Sequence, residues 1–330
     1  MTKSTQKNTI LAICMLALHL CPAKSQEHLS KIQHFLKSVA ETQKTGIEKD
    51  LVYKKDTLSD VYPYGKTTRE FQWDKIRERL VFLDAIQEEP ATWAVLQNYK
   101  NMHGASKLVK KTHKNEYNEI CDSLGVRRYQ SIPLYAAEDS ITPIIYGIDG
   151  SLVKVTGENG GFIKIATVHT KENWDVPKKY IKLLNDSVVF RRAIFVDRTN
   201  QNITTLANVN SQWLVRSMTK ATTGVHRPPF DYVTPLGIFV IQEKKSKMVY
   251  NKDGINEMAG FAPYASRFSG GAHIHGVPLE TENINATLIE TSPTLGTTPR
   301  SHECVRTVTS HAKFIYDWGL VGETIVFVFD

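Results

Sequence analysis

The sequence predicts an α+β protein of several domains, in which a β-rich sandwich domain over residues 191–330 is preceded by a helical module and a small β segment. Three observations carry this. Apolar residues recur at helical spacing through the N-terminal third. Glycines and prolines punctuate short strand-like runs from about Leu124 to Ala166. From Ala193 onward, β-branched and aromatic residues come in short runs at the spacing of a meander. With 330 residues the chain can build two or three cores, and 41% hydrophobic with 23% charged residues is the balance of a globular protein rather than a disordered one.

Residues 1–25 stand apart. Lys3 and Lys7 precede an apolar run from Ile10 to Cys21 that is too short to span a bilayer, and Ala23-Lys24-Ser25 offers small residues where a signal peptidase reads. The expectation is a cleaved export signal and a periplasmic or cell-envelope destination. Its removal takes away Lys3, Lys7 and Lys24, so the net charge falls from +7 to +4 (7 − 3), and Cys121 and Cys304 are the two cysteines left of four (4 − 2). Two cysteines in an exported chain could pair, but Cys304 sits among histidines in a reactive-looking setting, and a free thiol is expected there. The mild basic excess suits an anionic polymer. No basic cluster interleaved with aromatics points to nucleic acid, and no later segment is apolar and long enough to form a membrane helix.

Residues 26–120 read as the helical module. Leu29, Ile32, Phe35, Leu36 and Val39 recur at helical spacing. Thr67 and Glu70 make a capping box for a helix carrying Phe71, Ile76, Leu80, Leu83 and Ile86, and Pro90 opens another through Trp93, Leu96 and Tyr99, with Gly104 beyond its end. Residues 121–190 read as a small β-rich segment followed by a linker helix from Trp174 to Leu184. Then come the runs Ile194-Phe195-Val196, Asn202 to Leu206 and Trp213 to Arg216. The chain also carries Thr324 to Phe329, a continuous apolar strand expected to be buried on both faces.

The chemistry concentrates between Gly270 and Arg306. His302 lies two residues before Cys304 and Arg306 two residues after it, and His273 and His275 lie upstream. A thiol becomes a useful nucleophile when a base removes its proton, and imidazole is the side chain best matched to that task near neutral pH. On a strand, His273 and His275 face one side, so either could be the base; Cys304 and Arg306 share a face by the same period. A metal site from His273, His275, His302 and Cys304 is the rival reading for these residue types, disfavoured by Arg300 and Arg306 beside it.

The order of motifs resembles the catalytic domain of the L,D-transpeptidases, the YkuD-type peptidoglycan enzymes. The matching pieces are Ile194-Phe195-Val196-Asp197, Ala221-Thr222-Thr223-Gly224, Thr234 to Phe239, His275-Gly276 and Ser301 to Arg306. The resemblance covers about Ala193 to Asp330 and implies a cysteine-dependent acyl transfer on stem peptides through a thioester, to form or remodel cross-links. It makes Cys304 the nucleophile, His275 the proton carrier and His302 a support for the cysteine within the motif. Arg306, with Ser301, His273 and Gly276, would meet the substrate. It needs no cofactor or metal and implies acylation by carbapenem β-lactams. A hydrolase on the same scaffold (L,D-carboxypeptidase or endopeptidase) would use the same residues, and a catalytically silent wall-binding protein is the third reading. Two departures stand out. Glu303 occupies a position that is usually glycine, and the 25 residues between His275 and Ser301 are long, so that Glu280 to Thr298 is expected to be a loop over the site mouth.

Overall fold

The computed structural model describes residues 47–137, 139–168 and 172–330. The expected export signal and the helical run from Leu29 to Val39 lie outside them. In chain order the elements are β1 (Ile47–Lys49), β2 (Val61–Tyr64), β3 (Thr67–Glu70), α1 (Trp73–Ala85), β4 (Thr92–Leu96), β5 (Thr112–Lys114), β6 (Ile120–Asp122), β7 (Ser131–Leu134) and β8 (Ile145–Ile148). Next come β9 (Leu152–Asn159), β10 (Phe162–Thr167), β11 (Asn173–Pro177), β12 (Ile181–Leu183), β13 (Arg192–Asp197), β14 (Asn202–Val209), β15 (Gln212–Thr222) and β16 (Gly237–Val240). The series ends with β17 (Glu243–Asn251), β18 (Met258–Ser269), β19 (Ala272–His275), β20 (Val305–Thr307), α2 (Thr309–Trp318) and β21 (Thr324–Phe329).

A mixed sheet of ten strands runs β16-β21-β13-β14-β15-β20-β19-β18-β17, with β1 added to β15 in parallel. β13 and β21 pair in parallel between β14 and the edge strand β16. Their apolar runs are unbroken because both faces are covered. Phe195, Ile325 and Phe327 face a first core with Ile76, Leu80 and Leu83 of α1. Ile194, Val196, Val326 and Val328 face a second core with Phe268, Ala272 and Ile274 of the other half-sheet, Val305, and Ile315 of α2. The sheet therefore curls so that its halves meet across the second core, as a sandwich made from one continuous sheet. Phe195 and Phe327 stack at 4.9 Å between ring centres, and truncating either would cost about 3–5 kcal/mol.

Residues 47–190 hold far more strand than the helical module the sequence suggests. Thr67 and Glu70 belong to the β2–β3 hairpin rather than a capping box, and α1 starts at Trp73 with no side-chain cap. The helix expected from Pro90 is β4, which lies between β9 and β12 in a five-stranded sheet. Trp93, Ala94, Val95 and Leu96 are all buried there, and burial on both faces overrides helical spacing. The linker helix expected over Trp174–Leu184 is β11, a 3-10 turn at Lys178–Tyr180, and β12. Because β4 pairs with β9 and β12, the expected boundary at residues 120/121 is crossed by hydrogen-bonded pairing. β7 and β8 lie over this sheet, with Ile132 and Leu134 packed among Leu96, Val153 and Ile165.

Candidate active site

Two neighbouring parallel strands, β19 and β20, carry four of the candidate residues or lead directly from them. Ile274 pairs with Val305 and His275 with Arg306, so one step back in the same register sets His273 beside Cys304. Ile274 and Val305 enter the second core. By the two-residue period, His273, His275, Cys304 and Arg306 share the opposite face. Cys304 is 9% exposed and each histidine 3%.

The sulfur lies against the Gly270–Gly271 turn. Cys304 Sγ donates to the Gly271 carbonyl at 3.5 Å, and the His273 amide N–H is directed at the sulfur. His273 Nδ1 bonds to the same Gly271 carbonyl at 2.8 Å, and His275 Nδ1 bonds to the Gly276 carbonyl at 2.6 Å. A carbonyl only accepts, so both Nδ1 atoms carry hydrogen and both Nε2 atoms present a lone pair. His273 Nε2 and Arg306 Nε are buried without a partner, the condition of groups kept for a ligand or a reaction step.

Burial sets the resting protonation. It pushes the Cys304 thiol up to about 11, with the Glu303 charge adding to the rise and the His273 amide and Arg306 opposing it. Burial pulls His275 down to about 3, helped by Arg306, and His273 down to about 4, helped by Arg267 and Lys245. The resting site therefore holds a neutral thiol beside neutral imidazoles, so any attack by this sulfur would require a proton transfer to accompany it.

The other motifs form the cradle of the cysteine loop. Arg300 and Ser301 amides donate to Thr223 O (2.9 and 3.1 Å), and Val225 N donates back to Ser301 O at 3.0 Å. Thr234 Oγ1 accepts from Gly224 N and donates to Glu303 O, each at 2.8 Å. A Cβ at Gly224 would lie 2.2 Å from Tyr232 O and 2.8 Å from Glu303 Cα, so only glycine lets these two segments approach.

Three expected site residues play other parts. Ser301 is fully buried and its hydroxyl donates to Cys304 O; it shapes the loop and has no surface for substrate. His302 turns outward, with Nε2 3.0 Å from Asp231 Oδ1 and 3.4 Å from Asp253, so it neither supports the thiol nor joins the others in a ligand set. Gly276 orients His275 through its carbonyl, and a Cβ there would meet Thr309 Oγ1 at 2.8 Å. Cys121 and Cys304 are both free thiols. The long loop after His275 is pinned along its length: Thr309 Oγ1 donates to Ile289 O at 2.6 Å, Thr309 N to Glu290 O at 2.9 Å, and Gly296 N to Thr222 Oγ1 at 3.0 Å.

Glu303 adopts φ +109°, a region that favours glycine. Its side chain points inward, with Oε1 3.8 Å from Arg127 Nη2, and lines a cavity of about 460 Å³ between the β5–β8 region and the ten-stranded sheet. Burial raises its carboxyl to about 7, with Asp149 adding to the rise and Arg127 and the Gly271 amide opposing it. Arg127 stacks on Tyr232 at 3.4 Å, and Tyr232 Oη donates to Glu119 at 2.7 Å. Asp149 accepts from Gly270 N at 2.9 Å and pairs with Arg267 at 2.8 Å. Sequence reasoning missed Arg127, Glu119 and Asp149, which sit in segments without periodicity or motif. The Gly270-Gly271 pair before the histidines was the one local signal for a tight turn.

Residues 191–328 match the family model of the L,D-transpeptidase catalytic domain (YkuD). No curated protein matches the chain. Among solved structures, the chain is similar to an L,D-transpeptidase from Stackebrandtia nassauensis, with 20% identity over 44% of this chain and 60% of that one and a TM-score of 0.31. It is similar to an L,D-transpeptidase from Mycobacterium smegmatis, with 20% identity over 48% and 73% and a TM-score of 0.32. A fused Zn-dependent amidase/peptidase/peptidoglycan-binding protein from Clostridium acetobutylicum gives 20% identity over 42% and 52%, with a TM-score of 0.31. The chain spans 52% of this last protein's length and 60% of the Stackebrandtia one's.

Proposed function

We propose that the protein is an exported transpeptidase that acts on peptidoglycan stem peptides through a thioester on Cys304, a reading supported by the match of residues 191–328 to the L,D-transpeptidase catalytic-domain model. The observation that carries this reading is the shared face of Cys304, His273, His275 and Arg306, with both imidazoles oriented through Nδ1 and open at Nε2.

His275 takes the Cys304 proton through Nε2 as the sulfur attacks the carbonyl of the donor stem, and gives it to the departing amine. The thioester then reacts with the amine of a second stem. Arg306, whose Nε has no protein partner, meets a donor carboxylate with a charge-assisted bond. Gly276 fixes the His275 tautomer, a role that orienting partners commonly play for a catalytic base. Incubating the protein with a muropeptide digest tests the reading: new dimers support transfer, and shortened stems alone mean a hydrolase. Intact-mass detection of a carbapenem adduct should require Cys304. An adduct that persists in Cys304→Ala would sink the proposed nucleophile.

A further inference from the structure

The two sides of Cys304 carry opposite charge. On one lie His275 and Arg306. On the other, Glu303 opens into the cavity that it shares with Glu119 and Arg127. Several charged groups of that cavity are already engaged: Asp149 with Arg267 at 2.8 Å, Arg198 with Asp330 at 2.9 Å, and His226 with Glu116 at 2.9 Å. What remains is Glu119 and Glu303 against the single guanidinium of Arg127, which lies 3.5 and 3.8 Å from them. One carboxylate is in excess, in a half-enclosed space next to the nucleophile.

We propose that this cavity is the acceptor subsite, and that Glu303 receives the primary ammonium group of the incoming stem. The inference rests on the transferase reading and deepens it. Glu303 is suited to the role by its backbone. A side chain at φ +109° is strained, and such strain persists where the surroundings hold it in place. Here the Thr234 hydroxyl holds the Glu303 carbonyl and the Gly271 amide meets its carboxylate, so the group is aimed along the turn that cups Cys304. The groups facing it are Arg127, Asp149, Gly271 N–H and, through Arg127, Glu119.

The step balances within these groups. Glu303 takes one proton from the ammonium, leaving a neutral amine. The amine nitrogen attacks the thioester carbonyl, the C–N bond forms and the C–S bond breaks. The second amine proton passes through imidazole to the thiolate of Cys304, and Glu303 returns its proton to solvent.

The test measures products from a tetrapeptide donor stem with rising concentrations of an amidated lysine peptide as acceptor. Glu303→Gln should raise the half-saturating acceptor concentration at least tenfold and lower the ratio of transferred to hydrolysed product by a similar factor. Arg127→Gln, which removes the competing cation, should move half-saturation the other way, at least threefold lower. A purely structural role would not give opposite signs. Ratios within twofold of the parent in both variants overturn the proposal, as does a parent protein that forms the thioester but yields only hydrolysed stem. If no thioester is seen by intact mass in the parent, the transferase reading itself falls and the acceptor subsite goes with it.

Discussion

Glu303 should destabilise the folded protein, and the penalty should depend on pH. Its carboxyl titrates near 7 in the fold against 4.5 unperturbed. A group whose folded pKa is raised imposes no cost below the unfolded value. The cost grows as pH rises from 4.5 and is complete above 7. At ~1.4 kcal/mol per pH unit, the full penalty is about 3 kcal/mol. The side chain is only 14% exposed, so solvent screening takes little from this figure. The backbone adds a second, pH-independent cost of about 1–3 kcal/mol, because a non-glycine residue sits at φ +109°. Glu303→Gln therefore removes the first cost alone, and Glu303→Gly removes both. In thermal melts, Glu303→Gln should match the parent near pH 4.5 and melt higher at pH 8, by roughly 5 °C for a chain of this size. Glu303→Gly should melt higher than the parent at both values. A Glu303→Gln curve parallel to the parent across this range would show that the carboxylate is not desolvated as described. The stabilised variants should also transfer poorly, the usual exchange of stability for function at a strained site.

Three further outcomes follow from the same geometry. Alkylation of Cys304 by iodoacetamide should accelerate about tenfold per pH unit between pH 7 and 10, because the thiol is held near 11; a plateau below pH 8 would mean a resting thiolate–imidazolium pair instead. His275→Ala should slow acylation by roughly 10²–10⁴-fold, whereas His273→Ala should leave more activity, and the reverse order in single-turnover assays would make His273 the base. Acid should unfold the protein through its buried imidazoles. His273, His275 and His311 titrate at about 4, 3 and 3, below an unfolded value of 6.5. The unfolded chain then binds more protons between those limits, and each histidine removes ~1.4 kcal/mol per pH unit as pH falls. Chemical denaturation midpoints unchanged from pH 6.5 to pH 4 would refute this.

Where burial and pattern agreed, the fold was legible. β13, β14 and β15 fall on the runs that β-branched content marks, and Thr324–Phe329 is buried on both faces as its unbroken apolar run implies. β4 was not legible, because Trp93 and Leu96 fit a helix as well as a doubly covered strand, and only its neighbours β9 and β12 decide. At the site, two-residue spacing placed His273 and His275 on one face, and Cys304 and Arg306 on one face. It could not see that the loop turns His302 outward toward Asp231, since Cys304 and His302 would share a face only if Glu303 were extended, and its φ is +109°. Nor could a local pattern bring Arg127 to Glu303, 176 positions away (303 − 127), because that contact is made by tertiary packing.

Asp149 reaches across from outside the family-matched segment to hold Gly270 N, and Gly271 in turn carries the carbonyl that both Cys304 and His273 use. Arg267 and Gln242 spend hydrogen bonds on the same carboxylate. Residues 191–330 are consequently not a portable cassette. Cut free, they would leave the buried Arg267 guanidinium and the Gly270–Gly271 turn without their Asp149 anchor, so a graft of this domain onto another carrier must bring Asp149 along or rebuild what it does.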